Sequence, residues 1–314
     1  MATRSVVVQP VFKGMDREVL TWGEHFAKRL GSPLLSIEVV KHPDRELYFL
    51  LPQKLPERAI VIASIYRGKP NLSLIAFIQV VHTLKWYGVR EVVGVLPYYP
   101  YSRQDRVDKP GAPLTSKWVA KVIEASGVDK LVLVDPHEEQ LAGYFNIPTL
   151  FVPTHALWRD ALTTYLGEGE YEIVSPDMGM VKRLTPLLHT LGQTSDLLVV
   201  FKRRDDSTQV TSFGLNRHPR FKKAIIVDDI IASGGTLKKA ADFLRKEGIK
   251  EIYAAVTHPV LTRGARENLG ASAFRQILLG NTIYPLNKQV LSPNITVVDL
   301  SALVVDYVID WGFI

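Results

Sequence analysis

Two stretches of this chain, 165 residues apart, follow one plan. Ala59-Ile60-Val61-Ile62-Ala63-Ser64-Ile65-Tyr66-Arg67-Gly68-Lys69-Pro70-Asn71 runs parallel to Ala224-Ile225-Ile226-Val227-Asp228-Asp229-Ile230-Ile231-Ala232-Ser233-Gly234-Gly235-Thr236. Each continues into a helical pattern, a turn and a strand, and the second halves match as Gly88-Val89-Arg90-Glu91-Val92 and Gly248-Ile249-Lys250-Glu251-Ile252. A repeat of this length requires one strand–turn–helix–strand unit to form twice, which leaves few folds open. Apolar runs such as Glu91 to Leu96, Lys130 to Val134, Leu197 to Phe201 and Ile252 to Val256 alternate with helical patterns at Leu72 to Tyr87, Ser116 to Ala125, Met178 to Thr190 and Leu237 to Lys246. That alternation predicts an α/β fold of two duplicated domains, each a mainly parallel sheet flanked by helices.

At 314 residues the chain is long enough for two domains of about 150 residues. Two prolines around a short apolar run place the boundary between Ile147-Pro148 and Pro153. The expected domains are 1–149, joined by an apolar tail at 295–314, and 150–294. Residues 1 to 20 read as a strand at Ser5 to Val8 followed by a helix, without the pattern of a signal peptide. No apolar run approaches the roughly 18 residues of a membrane span. The absence of cysteine excludes disulfides and thiolate chemistry, and a cytoplasmic location is expected. A net charge of +6 suits polyanionic ligands such as nucleotides and sugar phosphates. No long basic block or nucleic-acid motif accompanies it, so neither nucleic acid nor membrane is an expected partner.

Function in such folds sits at the carboxyl ends of strands, and polar residues collect there. Asp228 and Asp229 stand where the strand from Ala224 is expected to end, and suit the hydroxyls of a sugar. Ser233-Gly234-Gly235-Thr236 follows, with a helix expected from Leu237 onward; two glycines between small hydroxyl residues turn the backbone and aim N–H groups at an anion. In the other copy Ala63 and Ser64 replace the acids and Gly68-Lys69-Pro70 replaces Ser-Gly-Gly, so only the second copy is expected to bind a sugar phosphate.

Other strand ends carry different chemistry. Tyr98 to Arg106 clusters tyrosines, two arginines and an amide, a set that suits a nucleotide. His137 follows the strand ending at Val134 and suits a divalent ion or a phosphate. Asp177 ends a third strand and fits a Mg²⁺ ligand, since that ion takes one or two carboxylates and shares substrate phosphates. Zinc would require further histidines at ligand spacing. Lys202-Arg203-Arg204 ends another strand, and the polar stretch Ser207 to Arg220 reads as a mobile loop delivering positive charge.

The segment from Ala224 to Thr236 resembles the ribose-5-phosphate loop of type I phosphoribosyltransferases. Over nearly the whole chain the motifs resemble the ribose-phosphate diphosphokinase family and occur in family order: His42-Pro43-Asp44-Arg45-Glu46, Pro97 to Arg106, Asp135-Pro136-His137 with Gln140, Gly143, Phe145 and Ile147-Pro148, Ser175-Pro176-Asp177, Lys202-Arg203-Arg204, the sugar loop, and Thr257 to Leu261. The resemblance implies two phosphoribosyltransferase-like domains and transfer of a diphosphoryl group from ATP to ribose 5-phosphate with Mg²⁺. It implies ATP contacts at His42, Asp44, Glu46, Arg103, Gln104 and Asp105, with Asp44 and Glu46 reaching a neighbouring subunit of a homo-oligomer. Metal contacts would be His137 and Asp177, and the catalytic cations Lys202 and Arg204. Ribose 5-phosphate would meet Asp228, Asp229, Ala232, Ser233, Gly234, Gly235 and Thr236.

The chain departs from the family's usual pattern at His42 for an aromatic Phe, Arg45 for Gly, Met178 and Met180 within Asp-His-Gly-Gly, and Ala232 for a frequent Asp. Two other functions fit parts of the pattern. A phosphoribosyltransferase consuming phosphoribosyl diphosphate shares the sugar loop, without accounting for the duplication. A non-catalytic partner of a synthetase accommodates the departures, without accounting for the retained acids and cations.

Overall fold

The computed structural model describes residues 5–14, 17–167, 169–193, 196–204, 211–271, 273–286 and 291–314, with the backbone alone at 202–204, 211 and 212. The chain divides into two compact units. One comprises residues 1–152, 282–285 and 300–314, and the other 153–281 and 286–299.

In the first unit β1 (Ser5–Phe12), β2 (Leu34–Lys41), β3 (Leu47–Tyr48), β4 (Arg58–Ile62), β5 (Glu91–Leu96), β6 (Lys130–Val134) and β7 (Thr149–Val152) form one sheet in the order β3-β2-β1-β4-β5-β6-β7. All pairs are parallel except β2 with β3. Helices α1 (Thr21–Leu30), α2 (Pro70–Trp86) and α3 (Thr115–Ala125) connect the strands. The helix expected before residue 20 is only a 3-10 turn, Arg17–Leu20, and the α-helix begins at Thr21.

The second unit repeats the plan with α4 (Thr154–Leu166), β8 (Glu172–Ser175), α5 (Val181–Thr190), β9 (Leu198–Arg204), β10 (Thr211–Leu215), β11 (Lys223–Ile231), α6 (Gly235–Lys246), β12 (Glu251–Pro259), α7 (Ala265–Gly270), β13 (Phe274–Gly280) and β14 (Ile295–Val298). Its order, β10-β9-β8-β11-β12-β13-β14, is that of the first sheet element for element. Only β9 with β10 is antiparallel. Part of the polar stretch expected to be a loop is therefore strand β10, and residues 205–210 lie outside the described residues. The expected tail divides, because β14 completes the second sheet and α8 (Ser301–Asp310) belongs with the first unit. Arg29 Nε donates to Asp306 Oδ1 at 2.5 Å and ties α8 to α1.

The duplication extends to individual hydrogen bonds. Gly88 and Gly248 both take left-handed φ, 88° and 93°, after their helices. Val89 N donates to Leu84 O and Ile249 N to Leu244 O, each at 3.1 Å. A residue with a Cβ is strained at such a φ, so both helices end on glycine. Both sheets are buried on two faces, as parallel sheets are. Ile60, Val61 and Ile62 in β4, and Ile225, Ile226 and Val227 in β11, are 0–1% exposed. Each such side chain contributes about 1.5–3 kcal/mol of burial.

Candidate active site

The second unit gathers acids and a glycine turn at the carboxyl end of its sheet. β11 does not stop before the acids; it continues through them to Ile231, paired with β12 from Lys223↔Glu251 to Ile231↔Pro259. The longer strand fixes both carboxylates on a rigid element. The N–H of Asp229 donates to Asp228 Oδ1 at 2.9 Å. Asp229 is buried and accepts from Arg183 Nη1 at 3.0 Å, while the same nitrogen approaches Met180 Sδ at 3.2 Å. Asp177 stands exposed after β8, and its Oδ1 accepts from Met180 N at 3.1 Å. Ser175 Oγ donates to Asp177 O at 2.6 Å and closes that turn.

Burial holds the Asp228 carboxyl well above the ordinary carboxylate range, and the charges of Asp229 and Asp177 push it the same way. Arg183 offsets part of this negative charge. Among the described residues no group of three or more His, Asp or Glu side chains is placed to hold a metal ion; the exposed Asp177 is a single carboxylate of the kind a hard divalent cation takes while drawing its remaining oxygens from phosphates and water.

The glycine turn follows. Gly234 has φ 72°, and α6 opens at Gly235, two residues before its expected start. A Cβ on Gly234 would lie 2.9 Å from Leu269 Cδ2, so glycine is required there by conformation and by space. In the first copy the equivalent helix opens at Pro70, which the repeat aligns with Gly235. There Ser64, aligned with Asp229, is buried, and its Oγ accepts from Gln9 Nε2 at 3.2 Å. The first turn uses that position for internal packing.

The expected nucleotide residues lie in the first unit. Residues 42–46 form an exposed turn in which His42 N donates to Glu46 O at 2.8 Å and Glu46 N to Asp44 Oδ1 at 3.0 Å. Arg45 occupies φ 79°, at the position where the family's usual residue is glycine. The His42 ring lies 5.5 Å from that of Tyr48. Arg45 and Glu46 line an open cavity of about 660 Å³ with Lys41, Leu47, Asn71 and Gln79. Tyr101 Oη donates to Asn71 Oδ1 at 2.5 Å, so the 98–106 segment reaches the rim of the same cavity.

Within that segment Arg103 and Gln104 are exposed, and Gln104 Oε1 accepts from Thr115 Oγ1 at 2.5 Å. Asp105 is buried, and its Oδ2 accepts from Gln140 Nε2 at 2.5 Å. His137 is half-buried in the first unit, at a sheet end where Asp135 takes φ 42°. Lys202 and Arg204 lie on β9 opposite Phe213 and Thr211; their side chains are outside what is described. Arg183 escaped the sequence reading, although a lone arginine six residues after a strand-end acid was the available signal.

A duplicated α/β chain with paired acids and a left-handed glycine turn in one copy is the class that these features define. Residues 11–127 match the N-terminal domain of ribose phosphate pyrophosphokinase, and residues 155–272 match the phosphoribosyl transferase domain. The chain is 30% identical to ribose-phosphate pyrophosphokinase 2 of Schizosaccharomyces pombe over 310 residues, covering 98% of this chain and 94% of that protein. It is 32% identical to ribose-phosphate pyrophosphokinase 1 of Streptococcus pneumoniae, covering 83% and 81%. The fold matches a crystal structure of phosphoribosylpyrophosphate synthetase from Mycobacterium smegmatis with a TM-score of 0.86 at 24% identity, over 98% of this chain and 99% of that one. The chain belongs to the ribose-phosphate pyrophosphokinase family. No helix among the described residues is long and apolar enough to cross a membrane.

Proposed function

We propose that this family member transfers the diphosphoryl group of ATP to O1 of ribose 5-phosphate, giving 5-phosphoribosyl 1-diphosphate and AMP. The observation that carries this reading is the asymmetry of the duplicated turn. The second copy keeps two acids on the end of β11 and a left-handed glycine before α6, whereas the first buries a serine at the matching place. Asp228 and Asp229 accept hydrogen bonds from the ribose hydroxyls, and Ser233 to Thr236 hold the 5-phosphate.

ATP binds the first-unit residues His42, Asp44, Glu46, Arg103 and Gln104, with Asp44 and Glu46 serving a neighbouring subunit of a homo-oligomer. Support comes from the cavity beside Glu46 and from the exposure of the 42–46 turn. Asp105 acts from behind, holding the segment that presents Arg103 and Gln104. His42 offers its ring to the base.

Asp177 in the second unit would offer a carboxylate, and His137 in the first an imidazole, as candidate contacts for Mg²⁺, which would supply charge neutralisation at the phosphates. The ribose 1-hydroxyl attacks the β-phosphorus and AMP departs. Such transfers depend on alignment and on neutralising charge at phosphate oxygens. Lys202 and Arg204 on β9 supply positive charge to the transferring group, and removing either lowers the rate by about 10²–10³ by analogy with lost oxyanion donors. The test incubates the protein with ATP, ribose 5-phosphate and Mg²⁺ and separates the products chromatographically. AMP with phosphoribosyl diphosphate is expected; ADP alone, or no turnover, refutes the assignment.

A further inference from the structure

The backbone of the sugar turn is held from one side by a single neighbouring segment. Ile231 O accepts from Leu261 N at 3.1 Å, and Ala232 O from Thr262 N at 3.1 Å. Ser233 O accepts from Asn268 Nδ2 at 2.8 Å, and Gly234 O from Lys238 N, within α6, at 2.9 Å. Four consecutive carbonyls are thus occupied, three of them by the stretch Leu261 to Asn268. Leu269, next to Asn268, closes over Gly234, with Cδ2 2.9 Å from where a Cβ would stand.

A peptide whose carbonyl is held in one direction presents its N–H in the opposite one. The Ser233 carbonyl belongs to the peptide whose nitrogen is Gly234 N. It is the one of the four that relies on a side chain, donated across 35 residues of sequence. We infer that Asn268 is a positioning residue for the phosphate turn: by holding the Ser233 carbonyl it orients the Ser233–Gly234 peptide, so that the Gly234 N–H faces the 5-phosphate. This inference rests on the reading that the turn binds that phosphate. Asn268 itself touches the turn's backbone, not the substrate's reacting atoms.

The test compares the wild-type enzyme with Asn268→Ala, Asn268→Asp and Asn268→Gln in steady-state assays, varying ribose 5-phosphate and ATP separately and using ribose as a substrate without the phosphate. For Asn268→Ala the KM for ribose 5-phosphate is expected to rise about tenfold, matching loss of one hydrogen bond that organises an anion site. The KM for ATP should stay within twofold, and the preference for ribose 5-phosphate over ribose should fall by a similar factor. Asn268→Asp, which keeps the shape but loses the donor, should do at least as badly. Asn268→Gln, which keeps the amide, should recover part of the affinity.

A general loss of structure would lower turnover of both sugars together and leave their ratio unchanged; that result overturns the inference. So does an unchanged ribose 5-phosphate KM in Asn268→Ala. A wild-type protein that fails to discriminate ribose 5-phosphate from ribose refutes the underlying reading itself, which keeps the two failures distinct.

Discussion

Arg183 Nη1 donates to Asp229 Oδ2 at 3.0 Å, and the two side chains are only 10% and 4% exposed. The pair joins α5 to the end of β11, so one of the two adjacent acids is set by a residue 46 positions away. Removing one member of a buried pair leaves the other charge uncompensated, at about 3–5 kcal/mol. Arg183→Met should therefore lose stability on that scale in urea denaturation. Adding Asp229→Asn should restore much of the stability but not the activity. If the double variant is no more stable than Arg183→Met, the pair is not the source of the loss.

Asp228 links stability to pH with a definite sign. Its carboxyl, ordinarily near 3.8, is raised by burial and by Asp229 and Asp177. Between the unfolded and the raised folded value the native state retains a proton that the unfolded chain has lost, so stability falls as pH rises through that window. Asp228→Asn removes the burden. It should melt above the wild type at neutral pH, with the advantage shrinking as pH falls and vanishing below the ordinary carboxylate range, where the wild-type carboxyl is protonated in both states. Synthesis should be lost in the same variant. Thermal melts across pH check the first claim, and an advantage independent of pH would contradict it.

Gly234→Ala tests the turn. Left-handed backbone costs a residue with a Cβ about 1–2 kcal/mol, and the added methyl would meet the buried Leu269 at 2.9 Å. The turn should shift, raising the ribose 5-phosphate KM about tenfold for each 1.4 kcal/mol of lost binding. Unchanged KM values would mean that the turn tolerates a Cβ.

Glu172 is fully buried at the head of β8 and is gripped by Arg217, with Nη2 to Oε2 at 2.6 Å and Nη1 to Oε1 at 3.2 Å. It also accepts from the N–H groups of Arg220 and Phe221. Asn216, beside Arg217, ties the same return to β9, its Oδ1 accepting from Val199 N at 2.9 Å. These bonds anchor the chain returning from the β9–β10 hairpin that carries Lys202 and Arg204. Glu172→Ala should cost about 3–5 kcal/mol in denaturant unfolding and lower kcat more than either KM. A fall in affinity alone would separate the anchor from the catalytic role proposed for Lys202 and Arg204.

The architecture was legible because its signals are local. Apolar parallel strands, the repeated Gly-x-x-Glu turn into β5 and β12, and the contiguous Asp-Asp and Ser-Gly-Gly-Thr each declare themselves within a few residues. What escaped depends on distance along the chain. The partners of Asp229, Asp105 and Ser233 lie 46, 35 and 35 residues away, and no periodicity announces such pairs. β11 overran its expected end because β12 pairs with it as far as Ile231, a tertiary effect on a stretch that looks interrupted by charge. The short edge strand β10 was hidden in polar sequence, since an edge needs little apolar surface.

The central claim is that the second copy alone holds the ribose 5-phosphate that receives an intact diphosphoryl group. Its most direct test is ³¹P NMR of ATP, ribose 5-phosphate and Mg²⁺ with the wild type and with the double variant Asp228→Asn, Asp229→Asn. The wild type should give phosphoribosyl diphosphate and AMP in equal amounts, and the double variant neither. Formation of ADP in place of AMP, or undiminished synthesis by the double variant, would contradict it.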